Sequence, residues 1–194
     1  KDPDPSIRVN AISVLSPPID EMVIQAIQGG LKDADAMVRA GTWRWIQEAK
    51  DPALLPLLMS LTAADPANRG QAMASIGMIE GPRALELMIE LWNRSRDSEA
   101  RRCLISGLCR SKQTAAIAPL REALEGYTTA PEIAVIALEG LAQMTQPEAR
   151  QAVNAVLRCS DYEFRLRAAK LMSDYRSPET LAGLTEALRG NPYP

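Results

Sequence analysis

The 194-residue sequence contains no histidine, and this absence removes whole classes of chemistry. A Ser-His-Asp triad, a histidine-ligated zinc or iron site and an imidazole general base all require that side chain. Aromatic residues are scarce, at 4% of the chain with a single Phe. No apolar run reaches the roughly 20 residues of a transmembrane helix. We therefore expect a chain with no membrane span, no cofactor and no catalytic activity.

Cysteine is limited to Cys103, Cys109 and Cys159. An odd number without a CxxC pair argues against a disulfide framework or a thiolate zinc site. Each lies inside a helical apolar pattern, so we expect small packing residues, with a reactive or linking thiol as the alternative. Reduced thiols favour a cytoplasmic location.

The charge is nearly balanced, since 22 basic and 24 acidic residues leave a net charge of −2. Such a chain lacks the basic field of a non-specific nucleic-acid binder, and no nucleic-acid partner is expected. A local basic patch remains an alternative. The hydrophobic fraction of 46% is mostly Ala, Leu, Ile, Val and Met, which favours packed helices.

What the sequence does contain is an internal repeat, marked by the pattern D-x-x-x-R, which we call the repeat motif. The spacings between its arginines are 31, 30, 32 and 64 residues. The copies are "DPSIR" (4–8), "DAMVR" (35–39), "DPANR" (65–69), "DSEAR" (97–101) and "DYEFR" (161–165). Because the last spacing is twice 32, a sixth copy is expected near residue 133, where "APEIA" (130–134) lacks both charges.

Apolar or small residues keep the same register after each motif arginine position. Three residues later come Ala11, Thr42, Ala72, Leu104, Ala137 and Ala168. Seven residues later come Leu15, Ile46, Ile76, Leu108, Leu141 and Met172. Positions three and seven lie on one face of a helix, so each copy predicts a helix with one buried face.

A second helical pattern in each copy tends to open with proline, as in "DPALL" (51–55), "GPRAL" (81–85), "QPEAR" (146–150) and "SPETL" (177–181). Proline suits the first helical turn because its missing N–H would have no partner there. We call the proline-opened helices first helices and the motif-opened helices second helices. The Gly81-Pro82 step is then the corner between two antiparallel helices.

The sequence predicts an all-α superhelix of about twelve helices, forming one domain over residues 1–194. A lone helix is expected at 4–15 and another at 178–189. Five antiparallel pairs are expected between them, at 18–31 with 35–49, 52–64 with 66–80, 82–95 with 98–111, 114–126 with 131–144, and 147–159 with 162–175.

The segments "IRVNAISVL", "GQAMASIGMIEGPRALELM" and "AKDPALLPLL" resemble the short bacterial HEAT repeats often called PBS-lyase HEAT-like repeats. The resemblance covers nearly the whole chain and implies a HEAT-like solenoid. Pro56 and Pro119 resemble the proline that kinks the first helix of many HEAT units. The fifth copy departs from the pattern, with Ala130 and Ala134 where the other copies have Asp and Arg.

The repeat-motif residues are expected to cap helices and to form ion pairs between repeats. Because the first helix carries Ile7, Ile12, Val14 and Leu15 and the last carries Leu181, Leu184 and Leu188, neither has the polar outer face of a terminal repeat. We therefore expect a piece of a longer solenoid, or ends that pack on another subunit.

The stretch "GTWRWIQEA" (41–49) is unusual because Trp43 and Trp45 flank Arg44. Residues two apart point to different sides of a helix, so we expect a buried Trp and an outward Arg44, with a ligand-contacting Trp-Arg site as the alternative. The carboxylate pairs Glu86 with Glu90 and Glu122 with Glu125 are expected to be solvated surface.

Three functions fit this reading. The first is a non-catalytic protein-interaction scaffold or adaptor. The resemblance also implies, as alternatives, a bilin-lyase-like subunit that handles a chromophore, or a HEAT-like DNA glycosylase. No catalytic residue of a bilin lyase can be matched here. Trp43, Arg44 and Trp45 fit part of the basic, aromatic groove of such a glycosylase, but the net charge and scarce aromatics oppose it.

The predicted partner surface is the concave side of the second helices, at positions two, five and nine after each motif arginine. These positions hold Gly41, Arg44, Glu48, Gln71, Ala74, Met78, Cys103, Ser106, Arg110, Ile136, Glu139, Gln143, Arg167, Lys170 and Asp174. The residues predicted to bind are Arg44, Gln71, Met78, Arg110, Arg167 and Lys170, because Arg anchors contacts and Met adapts to varied surfaces.

Overall fold

The computed structural model describes residues 2–95, 97–172, 181, 184 and 185. The chain forms two compact units, residues 1–91 and 92–194. The prediction of a single domain stays a prediction. Within the described residues, all regular secondary structure is helical, so the predicted all-α fold is confirmed.

Eleven α-helices lie within the described part of the chain. They are α1 (Pro5–Ser13), α2 (Glu21–Leu31), α3 (Ala36–Ala49), α4 (Leu55–Ala64), α5 (Arg69–Met78), α6 (Pro82–Arg94), α7 (Ser98–Ser111), α8 (Ile117–Glu125), α9 (Pro131–Ala142), α10 (Pro147–Val156) and α11 (Tyr162–Met172). Short 3₁₀ turns at Pro52–Leu54 and Thr114–Ala116 precede α4 and α8. Pro56 and Pro119 lie just after these turns, within the first turn of each α-helix.

The predicted boundaries hold to within three residues inside the described part of the chain, and one late start has a visible cause. The helix predicted at 66–80 begins only at Arg69. The Asp65 carboxylate accepts hydrogen bonds from the Ala67 and Asn68 amides and from Asn68 Nδ2, at 3.1, 3.3 and 2.7 Å. These bonds form a separate turn, because Asp and Asn side chains compete with the helix for backbone donors. The predicted helix at 178–189 lies outside the described residues, except for Leu181, Leu184 and Thr185.

Neighbouring helices pack in pairs inside each unit, as a helical solenoid requires. In the first unit, α2 packs on α3 and α4 on α5, and α1 and α5 both contact α3. In the second unit, α8 packs on α9 and α10 on α11, and α9 contacts α7 and α11. The second helices of each unit are therefore neighbours of one another.

The predicted register fills the core in five of the six copies. Residues three and seven after the motif arginine position are buried from α3 to α11. The exception is α1, where Ala11 is exposed and Leu15 is only half-buried. Within the described residues, no helix that precedes α1 covers Ala11 as a preceding second helix covers the matching residue of α3.

The predicted capping role is confirmed for four of the five motif aspartates; the fifth, Asp65, bonds residues that precede α5. Asp4, Asp35 and Asp161 accept backbone amides of the first turns of α1, α3 and α11, at 2.7 to 2.8 Å. Asp97 accepts the amides of Glu99 and Ala100 in α7, at 3.4 and 3.2 Å. These carboxylates occupy the positive end of the helix dipole and satisfy free N–H groups.

The motif arginines also have a role that was not predicted. Among the described residues, no motif aspartate forms an ion pair with the arginine of its own copy. The guanidinium turns back to backbone carbonyls before its helix. Arg39 Nη1 donates to the Asp33 and Ala34 carbonyls at 2.8 and 2.7 Å, and Arg165 Nη1 donates to Cys159 and Ser160 at 2.7 and 2.9 Å.

The same arrangement recurs in the other charged copies. Arg8 donates to the Asp2 and Pro3 carbonyls, Arg101 to Ser95 and Arg69 to Thr62. The carbonyls accept because the turn leaves them without helical partners. The motif is therefore a turn clamp, in which Asp satisfies the amides of a helix and Arg satisfies the carbonyls before it.

Two motif arginines also pair across repeats, as predicted, but with acids outside the motif. Arg8 binds Asp33 with two parallel hydrogen bonds of 2.9 and 2.8 Å, and this contact raises the pKa of Arg8. Arg101 binds Glu122 at 2.6 Å. The forked Arg8 contact is stronger and more directional than a single contact such as that of Arg101.

The corner at Gly81-Pro82 is as predicted. Gly81 has a φ of 121°, a conformation that glycine adopts without a steric penalty. Pro82 is the first residue of α6. The chain therefore leaves α5 and enters α6 through a turn that an uninterrupted helix could not make.

Candidate partner-binding surface

Both tryptophans of the predicted Trp-Arg stretch are buried, and each indole has a partner. Trp43 Nε1 donates to Asn68 Oδ1 and Trp45 Nε1 donates to the Leu15 carbonyl, both at 3.1 Å. Arg44 between them is exposed. The two rings serve packing, and Arg44 is the exposed residue of these three.

In the first unit, the predicted surface residues lie on the accessible side of α3 and α5. Arg44, Glu48 and Gln71 are exposed, whereas Met78 is half-buried. This half-burial leaves a flexible apolar side chain at the edge of a polar surface. The combination suits a contact in which one apolar group is covered.

In the second unit, the structure brings several predicted residues together across α7, α9 and α11. Arg167 Nη1 lies 3.0 Å from Glu139 Oε1, which joins α11 to α9. Arg110 on α7 is exposed, as is Lys170 on α11. Ile136 is half-buried. The last predicted residue, Asp174, lies outside the described residues.

The exposed charges of these three helices are separated along the helix axes. The first turns of α7, α9 and α11 carry Glu99, Glu132 and Glu163. The last turns of α7 and α11 carry Arg110 and Lys170. This order complements the helix dipoles, so it stabilises the helices and also gives the surface an acidic and a basic end.

Arg102 modifies the acidic end. It pairs with Glu99 at 2.6 Å, and this hydrogen bond, with a smaller contribution from Glu132, raises the pKa of Arg102. Both partners are more than half exposed, so the pair adds little stability. It lowers the net negative charge of the acidic end without removing it.

None of the three cysteines, all within the described residues, takes part in a disulfide. Burial raises the pKa of each, and for Cys109 the value reaches about 11. A raised pKa lowers the thiolate fraction, which is the nucleophilic form. Cys109 Sγ packs against Gly140 of α9 and lies 3.4 Å from the Ile136 carbonyl, as expected for a packing residue.

One polar cluster lies outside the sequence predictions. Trp92 Nε1 donates to Glu122 Oε2 at 2.8 Å, and the Arg101 guanidinium lies 4.5 Å from the centre of the Trp92 ring. Glu122 is half-buried, which corrects the prediction of solvated surface; Glu125 is exposed as predicted. The cluster joins α6, α7 and α8: a hydrogen bond links Trp92 to Glu122, an ion pair links Arg101 to Glu122, and a cation–π contact links Arg101 to Trp92.

The other predicted carboxylate pair divides in the same way. Glu86 is exposed and pairs with Arg83 at 3.0 Å, whereas Glu90 is half-buried. Burial of one partner could not be foreseen because both lie on the same nominal helix face. Among the residues that the structure describes, no group of three or more acidic or cysteine side chains is placed to hold a metal ion.

A shallow groove of about 260 Å³ lies between α8 and α10 of the second unit. Leu124, Val156 and Phe164 contribute apolar surface, and Arg121 and Glu125 contribute charge. α10 has Ala152 where α6, aligned on its opening proline, has Leu87. The smaller side chain leaves room there. The groove was not predicted from the sequence, because the predicted surface is confined to the second helices and α8 and α10 are first helices.

No helix within the described residues is long and apolar enough to cross a membrane. Residues 117–194 match the family model of HEAT repeats, and the predicted HEAT-repeat protein is thereby confirmed. The match begins at the first residue of α8. A search of curated proteins finds no match. The assignment to the short bacterial type of repeat stays a prediction.

Proposed function

We propose that this chain is a non-catalytic scaffold or adaptor that binds a protein segment across its second helices. HEAT repeats generally mediate protein–protein interaction. The observation that carries the proposal is the division of these helices into a buried apolar face and an exposed polar face. The exposed face combines arginines with half-buried Met78 and Ile136. Interfaces commonly join arginine anchors to partly covered apolar groups.

The second unit also indicates how a partner segment would be oriented. Its second helices α7, α9 and α11 begin with glutamates, and two of them, α7 and α11, end with basic residues. A segment with acidic residues near Arg110, Arg167 and Lys170 and basic residues near Glu132 and Glu163 would match this order. Such complementarity sets register and association rate more than total affinity. A phosphate backbone requires continuous positive charge, whereas this face carries both acidic and basic residues.

The residues proposed to bind are Arg44, Gln71 and Met78 in the first unit, and Arg110, Arg167 and Lys170 in the second. Arg167 takes part in the exposed ion pair with Glu139. Exposed pairs contribute only about 0–1 kcal/mol, so a partner carboxylate can replace Glu139 at small cost. That Cys103, Cys109 and Cys159 form no disulfide agrees with a cytoplasmic setting, which we include in the proposal.

The test is a quantitative binding measurement with a purified partner, first recovered by capture on the chain. Substituting both Arg44 and Arg110 with Ala is expected to weaken binding at least about tenfold, with unchanged circular dichroism. The matched control replaces two exposed arginines of first helices, Arg121 and Arg150. Full affinity of the first variant, together with a footprint on the first helices, would show that the surface is wrong.

A second measurement separates this proposal from a nucleic-acid function. We expect no salt-dependent binding of a DNA duplex at protein concentrations that saturate the protein partner. Tight binding to DNA that falls steeply with added salt would replace the scaffold by a nucleic-acid-binding function.

A further inference from the structure

The turn before α1 has the same local structure as the turn before α3, and the structure shows the helix that packs on the α3 turn. Residues Asp2-Pro3-Asp4 precede α1 as Asp33-Ala34-Asp35 precede α3. In both turns the first carboxylate accepts the amide of the second aspartate, at 2.8 and 2.9 Å. In both, the motif arginine of the following helix donates to the first two carbonyls. The two turns are therefore equivalent in local structure.

The α3 turn receives a helix, and the structure shows the contacts. Arg8 of α1 grips Asp33 with two hydrogen bonds. Trp45 of α3 donates to the Leu15 carbonyl. Thr42 of α3 and Ile12 of α1 both border the same glycine of α2.

The face of α3 that receives α1 holds apolar or small residues one before, three after and six after the motif arginine. In α3 these are Val38, Thr42 and Trp45, each no more than 8% exposed. In α1 the same positions are Ile7, Ala11 and Val14. Ile7 is 50% exposed and Val14 is 77% exposed. α1 thus has the residues of the receiving face, and no helix within the described part of the chain covers them.

We propose that Asp2, Ile7, Ala11 and Val14 form a docking surface for a helix of the second-helix type. The occupant presents an arginine followed by apolar residues one, four and seven positions later, as α1 does with Arg8, Val9, Ile12 and Leu15. The arginine would bind Asp2, and the apolar residues would cover Ile7, Ala11 and Val14. The charge and the apolar pattern together select a helix of this type, because a helix with an apolar face but no arginine would give Asp2 no cation.

The test supplies such a helix to the full chain. A copy of residues 1–31 is fused ahead of the natural Lys1, so that the added Arg8 meets the natural Asp2. We expect the amides of the natural α1 to exchange at least about tenfold more slowly in the fusion than in the chain alone. A matched fusion carries Arg8→Glu and Ile12→Asp in the added copy only, and it should leave the exchange unchanged.

One substitution is then compared in two contexts. Val14→Glu is expected to leave the urea midpoint of the chain nearly unchanged, since the side chain is 77% exposed. In the fusion, the same change in the natural α1 should remove the added protection. A fusion that unfolds independently, or protection that survives both Val14→Glu and Asp2→Ala, would overturn the proposal.

Sedimentation of the unmodified chain checks the other occupant, a second copy. We expect the sedimentation coefficient to be independent of concentration. Self-association that Val14→Glu abolishes would assign the face to a second copy instead. This proposal does not depend on the partner surface above, which the fusion leaves unaltered.

Discussion

Helices α3 and α9 occupy the same place in their repeats, yet they begin in different ways. Asp35 caps α3 and Arg39 clamps the preceding turn. Ala130 gives α9 no side-chain cap, and Ala134 is buried where Arg39 is half-buried. Both helices nevertheless bury the residues three and seven positions after the motif arginine position. The apolar register therefore places a second helix, and the charged turn refines its start.

The α9 turn has other restraints instead of the clamp. Tyr127 stacks on Phe164 with ring centres 5.4 Å apart, and its hydroxyl lies 2.8 Å from Ser160 Oγ. The Ala130 amide donates to the Gly126 carbonyl at 2.9 Å. An aromatic contact with α11 thus replaces part of what the Asp and Arg side chains do elsewhere.

The largest effect is expected from the register itself. Leu108→Ala should lower the free energy of unfolding by about 2–5 kcal/mol, since it empties a fully buried position. Chemical denaturation measures this change. Ser106→Ala, two residues away and exposed, is the control. A loss below about 1 kcal/mol at Leu108 would mean that the register is misassigned.

A smaller effect is expected where helices approach each other closely. A Cβ at Gly30 would overlap Thr42 Oγ1, whereas a Cβ at Gly29 would meet nothing within 4 Å. Gly30→Ala should therefore destabilise the first unit by about 1–3 kcal/mol, as overpacking does. Gly29→Ala should stabilise it by about 0.5–1 kcal/mol through helix propensity.

Thermal unfolding of these two neighbouring variants gives the comparison directly. Opposite signs are expected for adjacent glycines of one helix. Equal shifts would show that α2 and α3 do not approach as described. Gly140→Ala extends the test to α9, where the new Cβ would overlap Cys109 Sγ.

Loss of an N-cap is expected to lower the free energy of unfolding by less than these packing changes. Asp35→Ala should cost about 1 kcal/mol, the usual value for a lost N-cap. The reverse change, Ala130→Asp, should gain less than that. Asp35 has a ψ of 129° and Asp97 a ψ of 127°, whereas Ala130 has a ψ of 66°. Urea denaturation of both variants checks the asymmetry; a gain at residue 130 as large as the loss at residue 35 would contradict it.

The smallest effect concerns local opening. Amide hydrogen exchange around residues 126–134 should be faster than at the matching residues of the third copy, because α9 lacks both charged groups of the clamp. The contact of Tyr127 with Phe164 limits the difference. Equal or slower exchange around residues 126–134 would show that the aromatic contact fully replaces the clamp.

The fold could be predicted because its signal is periodic. Apolar positions repeated about every 31 residues specify both the helices and the faces that meet. The targets of the arginines could not be predicted. Arg8 reaches Asp33, 25 residues away, and Arg101 reaches Glu122, 21 residues away, so no constant spacing marks these pairs.

The candidate site was predictable in part for the same reason. Periodicity predicts that Arg44 and Arg110 lie outside the buried face, and both are exposed. It carries no information on where the groove between α8 and α10 lies, since that depends on the size of Ala152. It also cannot separate Glu122 from Glu125, because their burial depends on Trp92 and Arg101 of other helices.

The central claim is that the apolar register, and not the charged clamp, places each repeat. The most direct test combines Asp35→Ala with Arg39→Ala, so that α3 begins with the same two residues as α9. Urea unfolding of this variant is followed by circular dichroism. We predict a folded variant with full helical signal, destabilised by less than Leu108→Ala. A variant that is unfolded without urea, or that loses more stability than Leu108→Ala, would contradict the account.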